Sequence, residues 1–134
     1  MTEKPFSIIS TIVCDDVRRE DNGKDILIGV FNDTLVIDSV PAILAVLGIR
    51  FLVKANKKEA EVKGFIIGPE QKKLVEFGGQ VVFANVKYNS SFFFKISPMM
   101  ISEHGEYEIY LGLNSEPEKV YTFSVITSEK MNAA

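Results

Sequence analysis

The sequence predicts an all-β fold: a single-domain antiparallel sandwich of two sheets with about eight strands. Three observations carry this reading. From Gly105 to Leu113 the chain sets Tyr107, Ile109, Leu111 and Leu113 on one side and Glu106, Glu108, Tyr110 and Gly112 on the other. That period of two belongs to a strand with one face in a core and one in water. Similar alternation recurs along almost the whole chain. Turn residues separate the alternating runs and helical periodicity is almost absent, which is the pattern of two packed sheets.

The elements follow in order. The first strand is expected over Phe6 to Val17, with Phe6, Ile8, Ile12 and Cys14 on one face. Asn22-Gly23 has the residues that a two-residue hairpin turn with positive φ demands. The next strand, Asp25 to Phe31, is apolar on both faces and reads as central and doubly covered. Asn32-Asp33-Thr34 breaks it, and Leu35-Val36-Ile37 makes a short continuation. Ser39 and Pro41 could open a short helix with Ile43, Leu44 and Leu47 on its face. Leu47, Ile49, Phe51, Val53 and Ala55, however, alternate with Gly48, Arg50, Leu52 and Lys54, so a strand from Leu44 to Ala55 is the stronger reading. Asn56-Lys57-Lys58-Glu59 turns into a strand from Ala60 to Ile67, and a polar loop follows from Gly68 to Lys73. Two further strands cover Gly79 to Tyr88 and Ser91 to Ser97. The last pair is Glu106 to Leu113 and Lys119 to Thr127. Tyr107, near its strand's start, suits a tyrosine corner, with its hydroxyl bonded to backbone a few residues upstream; an ordinary core tyrosine is the alternative.

Composition bounds the class of protein. The 134 residues, 46% hydrophobic and 25% charged, fit one folded domain spanning residues 1–134 and exclude a disordered chain. The net charge is −3 and no basic block appears, so nucleic acid has no electrostatic landing site. The apolar run from Val40 to Val53 is interrupted by Pro41, Gly48 and Arg50 and falls short of the roughly 20 residues of a membrane span. The start, Met1-Thr2-Glu3-Lys4-Pro5, lacks the basic and apolar regions of a secretory signal. One cysteine, Cys14, allows no internal disulfide and points to a reducing compartment. A cytoplasmic protein is the expectation.

Few residues suggest chemistry. His104 sits in the turn Ser102-Glu103-His104-Gly105, where neighbours rarely converge on one point, and reads as a solvated turn histidine. Cys14 lies in an apolar strand and packs as a small hydrophobe. One Cys and one His cannot build the usual zinc ligand set. No Gly-rich phosphate loop is present, and no cofactor is expected. Asp15, Asp16, Asp21 and Asp33 are the candidate ligands if loops at one end hold calcium, although Arg18, Arg19 and Lys24 neutralise much of that charge. Absence of tryptophan weakens a glycan-stacking platform, and four tyrosines keep it open. Paired carboxylates could serve a hydrolase, but only with an acid and a base across a cleft.

Apolar surface is more suggestive. In Phe92-Phe93-Phe94 the outer rings and Ile96 fill the core while Phe93 points outward, and Leu52 and Tyr110 stand on mostly polar faces. Met99-Met100-Ile101 follows Pro98 directly. Clustered exposed apolar groups mark partner surfaces, and flexible methionines suit adaptable contacts; the alternative is a second apolar layer within the same chain, such as a loop folded over that sheet.

The stretches Cys14-Asp15-Asp16-Val17, Asn22-Gly23-Lys24, Ile28-Gly29-Val30-Phe31-Asn32, Val40-Pro41 and Gly105-Glu106-Tyr107-Glu108-Ile109 resemble a family of small uncharacterised bacterial proteins, a domain of unknown function often found near phage or mobile genes. The resemblance implies an immunoglobulin-like, Greek-key sandwich and brings no reaction and no catalytic residues. The expected function is therefore binding without catalysis: a protein partner, or self-assembly as a homodimer through an edge strand or an apolar face, with Phe93, Leu52 and Tyr110 as the interaction surface. A calcium- or glycan-binding module is the alternative, and a carboxylate-based hydrolase stands last.

Overall fold

A computed structural model describes residues 5–128 of the chain. Among them are eleven strands: β1 (Phe6–Arg19), β2 (Asp25–Val30), β3 (Thr34–Ile37), β4 (Ala42–Leu44), β5 (Leu47–Ala55), β6 (Glu59–Ile67), β7 (Lys73–Val82), β8 (Ser90–Ile96), β9 (Met99–Ile101), β10 (Gly105–Leu113) and β11 (Glu118–Thr127). The fold is all-β as the sequence predicts, with eleven strands in place of eight. They form a four-stranded sheet in the order β2-β1-β5-β8, a five-stranded sheet in the order β3-β11-β10-β6-β7, and a small ribbon of β4 and β9. Pairing is antiparallel except where β3 runs parallel to β11.

The two larger sheets share one core. Leu47, Ile49, Phe51 and Val53 from β5 join Val62 and Ile66 from β6 and Tyr107, Ile109 and Leu111 from β10 in a single cluster. Phe77 of β7 meets Phe94 of β8 with ring centroids 4.8 Å apart, and Tyr107 stacks on Phe123 at 5.4 Å. Each fully buried side chain of the cluster, such as Ile49 or Phe51, stabilises the fold by about 1.5–3 kcal/mol. The Tyr107 hydroxyl donates to the Glu103 carbonyl at 2.5 Å, four residues upstream.

β1 departs from simple alternation. It pairs with β5 as Ile8↔Val53 and then Ser10↔Leu52, which leaves Ile9 as an extra residue in a bulge. A bulge reverses the parity of everything beyond it. Phe6 and Ile8 thus share the core-facing row with Thr11 and Val13, opposite Ala55, Val53, Phe51 and Ile49. Ile12 and Cys14, expected on the face of Phe6, turn to the other side. β11 holds a matching irregularity: Ile109 pairs with Tyr121 and Tyr110 with Lys119, so Val120 is the extra residue.

The hairpin after β1 is longer than the two-residue turn expected. Glu20 N–H donates to Lys24 C=O at 2.8 Å and Gly23 N–H to Glu20 C=O at 2.9 Å, enclosing the loop Asp21-Asn22-Gly23. Gly23 alone of the three has positive φ, +89°. This is a three-residue hairpin with glycine in the left-handed position. β2 is an edge strand, not a central one. The expected strand from Gly79 to Tyr88 lies earlier, as β7, because Lys73 to Gly78 pair with β6 and the chain leaves the sheet after Val82. The expected strand from Leu44 to Ala55 divides at Ala45-Val46 into β4 and β5.

Beyond Cys14, β1 stops pairing with β5 and continues with β2 alone. The hairpin then lies over the outward face of β5 and β8. A Cβ built on Gly48 would come within 2.9 Å of Val17 Cγ2 and 3.2 Å of Cys14 Sγ, so glycine there lets the returning strand settle.

Candidate interaction surface

The outward face of the four-stranded sheet carries Arg50, Leu52, Ser91, Phe93 and Lys95, because their neighbours Ile49, Phe51, Phe92 and Ile96 fill the core. Phe93 is half-buried. The Arg19 guanidinium lies 5.4 Å from its ring centroid and Lys95 Nζ 5.9 Å from it, two cations over one ring. Leu52 is half-buried between Ser10 and Ser91 in the ladder. Tyr110 belongs to the other sheet, where it stacks on Phe65 at 4.7 Å. The three residues expected to share an interaction surface thus occupy the outward faces of two different sheets.

A polar network fixes the hairpin over this face. Arg50 Nε donates to Asp25 Oδ2 at 2.9 Å, Arg19 Nε to Asp25 Oδ1 at 3.1 Å, and the Ser91 hydroxyl to Asp25 Oδ2 at 2.5 Å. Arg19 Nη2 donates as well to the Ser91 carbonyl at 3.1 Å. The Asp25 side chain is only 6% exposed and that of Arg50 19%. Burial raises the Asp25 pKa, but hydrogen bonds from Ser91, Arg50 and Arg19 outweigh it and hold the carboxyl below its usual range. Nearby, Lys95 and Arg18 each pair with Asp16 at 3.0 Å and lower its pKa, Lys95 more strongly. Alternation in the sequence could not reveal this network, since it depends on the hairpin folding back.

The four aspartates considered as calcium ligands are spread out. Asp16 is ion-paired, and Asp15 lies against Gly29. Asp21 is exposed at the hairpin loop, and the Asp33 carboxylate accepts the Thr34 hydroxyl at 3.1 Å. Among the described residues no three His, Cys, Asp or Glu side chains gather as a metal site. Cys14 is fully buried, its thiol directed to the Asp16 carbonyl at 3.2 Å, and His104 is exposed in its turn. No helix among the described residues is long and apolar enough to cross a membrane.

Two further apolar surfaces stand out, the first missed in the sequence reading and the second containing Met100 of the Met99-Met100-Ile101 run singled out there. On β2, Ile26, Ile28 and Val30 form one row, 39%, 45% and 49% exposed, along the open edge of the four-stranded sheet. On the ribbon, Ile43 pairs directly with Met100 and both are exposed, while Met99 and Ile101 face the core.

A third feature lies where β1 and β11 approach. β2 covers the free side of β1 only from Cys14 onward, and β3 covers that of β11 only from Ser124 onward. Residues 6–12 and 118–123 thus each keep one side unpaired among the described residues. Between them runs an open cleft of about 510 Å³ lined by Ile8, Ile9, Ser10, Thr11, Val120 and Tyr121, with Lys119 at its side. It continues past Ile8 and Val120 into a pocket of about 230 Å³ over Phe6, Leu111 and Leu113. Thr11 Oγ1 is buried here with no hydrogen-bond partner among the described residues. The Ile9 bulge put it there by turning a polar residue inward.

This geometry defines an all-β protein that offers, among the described residues, unpaired strand edges and apolar rows. Residues 9–126 match the Family of unknown function (DUF6941), and the chain belongs to that family. No curated protein matches it in sequence.

Proposed function

We propose that the chain is a non-enzymatic protein–protein interaction module that self-associates through the β2 edge. The observation that carries this reading is the row of Ile26, Ile28 and Val30 beside a free strand edge. Unpaired backbone groups and adjacent apolar side chains are what a second strand satisfies, and antiparallel pairing of β2 with its copy forms a two-fold interface. Single exposed hydrophobes need no explanation; three in register along an open edge do.

The architecture behind this reading is an immunoglobulin-like, Greek-key sandwich. The order β11-β10-β6-β7, which matches that of strands G, F, C and C′, and β5 beside β8, which matches B beside E, support this reading. The Tyr107 hydroxyl bonded to Glu103 fits the tyrosine corner at the start of strand F. The free, buried Cys14 supports a reducing cytoplasm, and the resemblance noted above a bacterial, phage-associated setting. Sedimentation velocity over a concentration series tests the reading. A concentration-dependent dimer is expected, reduced to monomer by Ile28→Lys with the fold intact by circular dichroism. A wild type that stays monomeric throughout, or a dimer indifferent to Ile28→Lys, overturns it.

A further inference from the structure

We propose that the pocket over Phe6, Leu111 and Leu113 binds a small organic cation, an ammonium group carried on a short apolar chain or ring. This site is separate from the β2 edge and does not depend on pairing there.

Strand parity puts a carboxylate where an apolar residue is the rule. Glu118 of β11 pairs with Leu111 of β10, and directly paired residues share a face of the sheet. Leu111 is buried in the core, so Glu118 stands in the core-facing row of β11 with Tyr121, Phe123 and Val125. It is the one charged residue of that row and the one charged residue lining the pocket. Its carboxylate has no ion pair or hydrogen bond among the described residues. Lys119, next in the chain, faces the opposite way beside Tyr110 and is paired with Glu108 at 3.0 Å.

The pocket supplies the apolar half of the site. Its floor is Phe6, Leu111 and Leu113, all buried, and Asn114, Ser115 and Glu118 form its exposed rim. The rim is built in advance of any ligand. Asn114 N–H donates to the Glu61 carbonyl at 2.9 Å, and Glu61 N–H donates to Asn114 Oδ1 at 2.8 Å, which ties the β10–β11 turn to β6. The volume of about 230 Å³ falls below the roughly 300 Å³ where pockets for drug-sized molecules begin, so the ligand is small. Its apolar end sits on the floor while its cation stays at the rim, partly hydrated, against Glu118. A partner's lysine side chain would enter ammonium first and bring its charge onto the apolar floor. An anion would meet Glu118 with no lining cation to offset the repulsion.

Titration of the full chain with hexylamine, hexanol and hexanoate, followed by amide chemical shifts in NMR spectra, tests the proposal, since the three probes differ only in their head group. Hexylamine should bind most tightly and hexanoate least, with shifts gathered at residues 6–8, 111–115 and 118–120. Glu118→Gln should weaken hexylamine about fivefold, the strength of a solvent-screened ion pair, and leave hexanol unchanged. Unchanged hexanol binding also shows that the variant keeps the pocket folded. Glu118→Lys should reverse the order, so that hexanoate overtakes hexylamine. No binding of any probe up to about 10 mM, equal binding of all three, or an order that survives Glu118→Lys overturns the proposal. The tripeptide Phe-Gly-Gly binding more tightly than hexylamine also overturns it, by making the ligand the amino terminus of a polypeptide. Shifts confined to β2 or to the β4–β9 ribbon overturn this pocket while leaving the interaction-module reading standing.

Discussion

The Asp25 carboxylate on β2 accepts a hydrogen bond from Arg50 on β5 at 2.9 Å, although β1 lies between those strands in the sheet. The contact exists because the β1–β2 hairpin folds back, bringing Asp25 over the face from which Arg50 and Ser91 project. A long-range ion pair thereby fixes the position of a local hairpin.

Removing Arg50 should therefore destabilise the whole fold. Asp25 would remain buried with Arg19 as its one cationic partner, and that arginine is the more exposed of the two. Arg50→Ala is expected to lower the unfolding free energy by about 2 kcal/mol, below the figure for a fully buried pair because Arg19 and Ser91 stay. Urea denaturation measures it. The double variant Asp25→Leu with Arg50→Met should cost less than Arg50→Ala alone, since no charge is stranded.

Acid should weaken the same latch. Ser91, Arg50 and Arg19 overcome the opposing effect of burial and hold the Asp25 pKa below its unfolded value of about 3.9. The ionised form is thus favoured in the folded state. Its contribution is complete above the unfolded pKa and disappears as pH falls through the depressed folded value. Urea titrations from pH 7 to pH 2 should show the wild type losing its advantage over Asp25→Asn below about pH 4. A constant gap across that range would show that Asp25 stabilises by packing alone.

Thr11→Val should stabilise the free protein. The substitution removes a buried oxygen that has no partner among the described residues and keeps the branched shape beside Phe51. A gain of about 1 kcal/mol is expected, read as a higher urea midpoint with an unchanged slope.

These features divide by what alternation can report. The rows Tyr107–Leu113 on β10 and Leu47–Ala55 on β5 were legible because each strand keeps strict parity and packs one face against the core. On β1 the single extra residue Ile9 reversed the parity of Ile12 and Cys14, and no local residue choice announces a bulge. β2 looked central because Ile26, Leu27, Ile28 and Val30 are apolar on both faces, a pattern that an edge strand shares when its outer row stays apolar and exposed. The cleft was hidden for a different reason: it depends on where β2 and β3 stop covering their neighbours, which is a property of sheet pairing.

Two glycine variants should separate crowding from backbone strain. A Cβ on Gly112 would lie 2.3 Å from the Ser115 carbonyl oxygen and 2.9 Å from Pro117 N, both backbone atoms of the β10–β11 turn. Gly112→Ala is expected to cost about 3 kcal/mol, because the turn must shift. Around Gly23 nothing lies within 4 Å of the added Cβ, but its φ is +89°. Gly23→Ala should cost about 1–2 kcal/mol from conformation alone. Equal losses in thermal denaturation would contradict the distinction.

Cys14 offers a direct reading of the hairpin's opening. Its sulfur is fully buried at the point where β1 leaves β5, and burial raises the thiol pKa more than the Asp16 backbone hydrogen bond lowers it. Only the thiolate attacks a disulfide reagent, so the native protein should react slowly with Ellman's reagent at pH 8 and quickly in denaturant. Loosening the latch by about 2 kcal/mol corresponds to roughly a 30-fold larger open fraction, so Arg50→Ala should be labelled about 30 times faster than wild type. Labelling at the wild-type rate would mean that Cys14 is reached by another motion and that the contact between Asp25 and Arg50 does not govern access to this face.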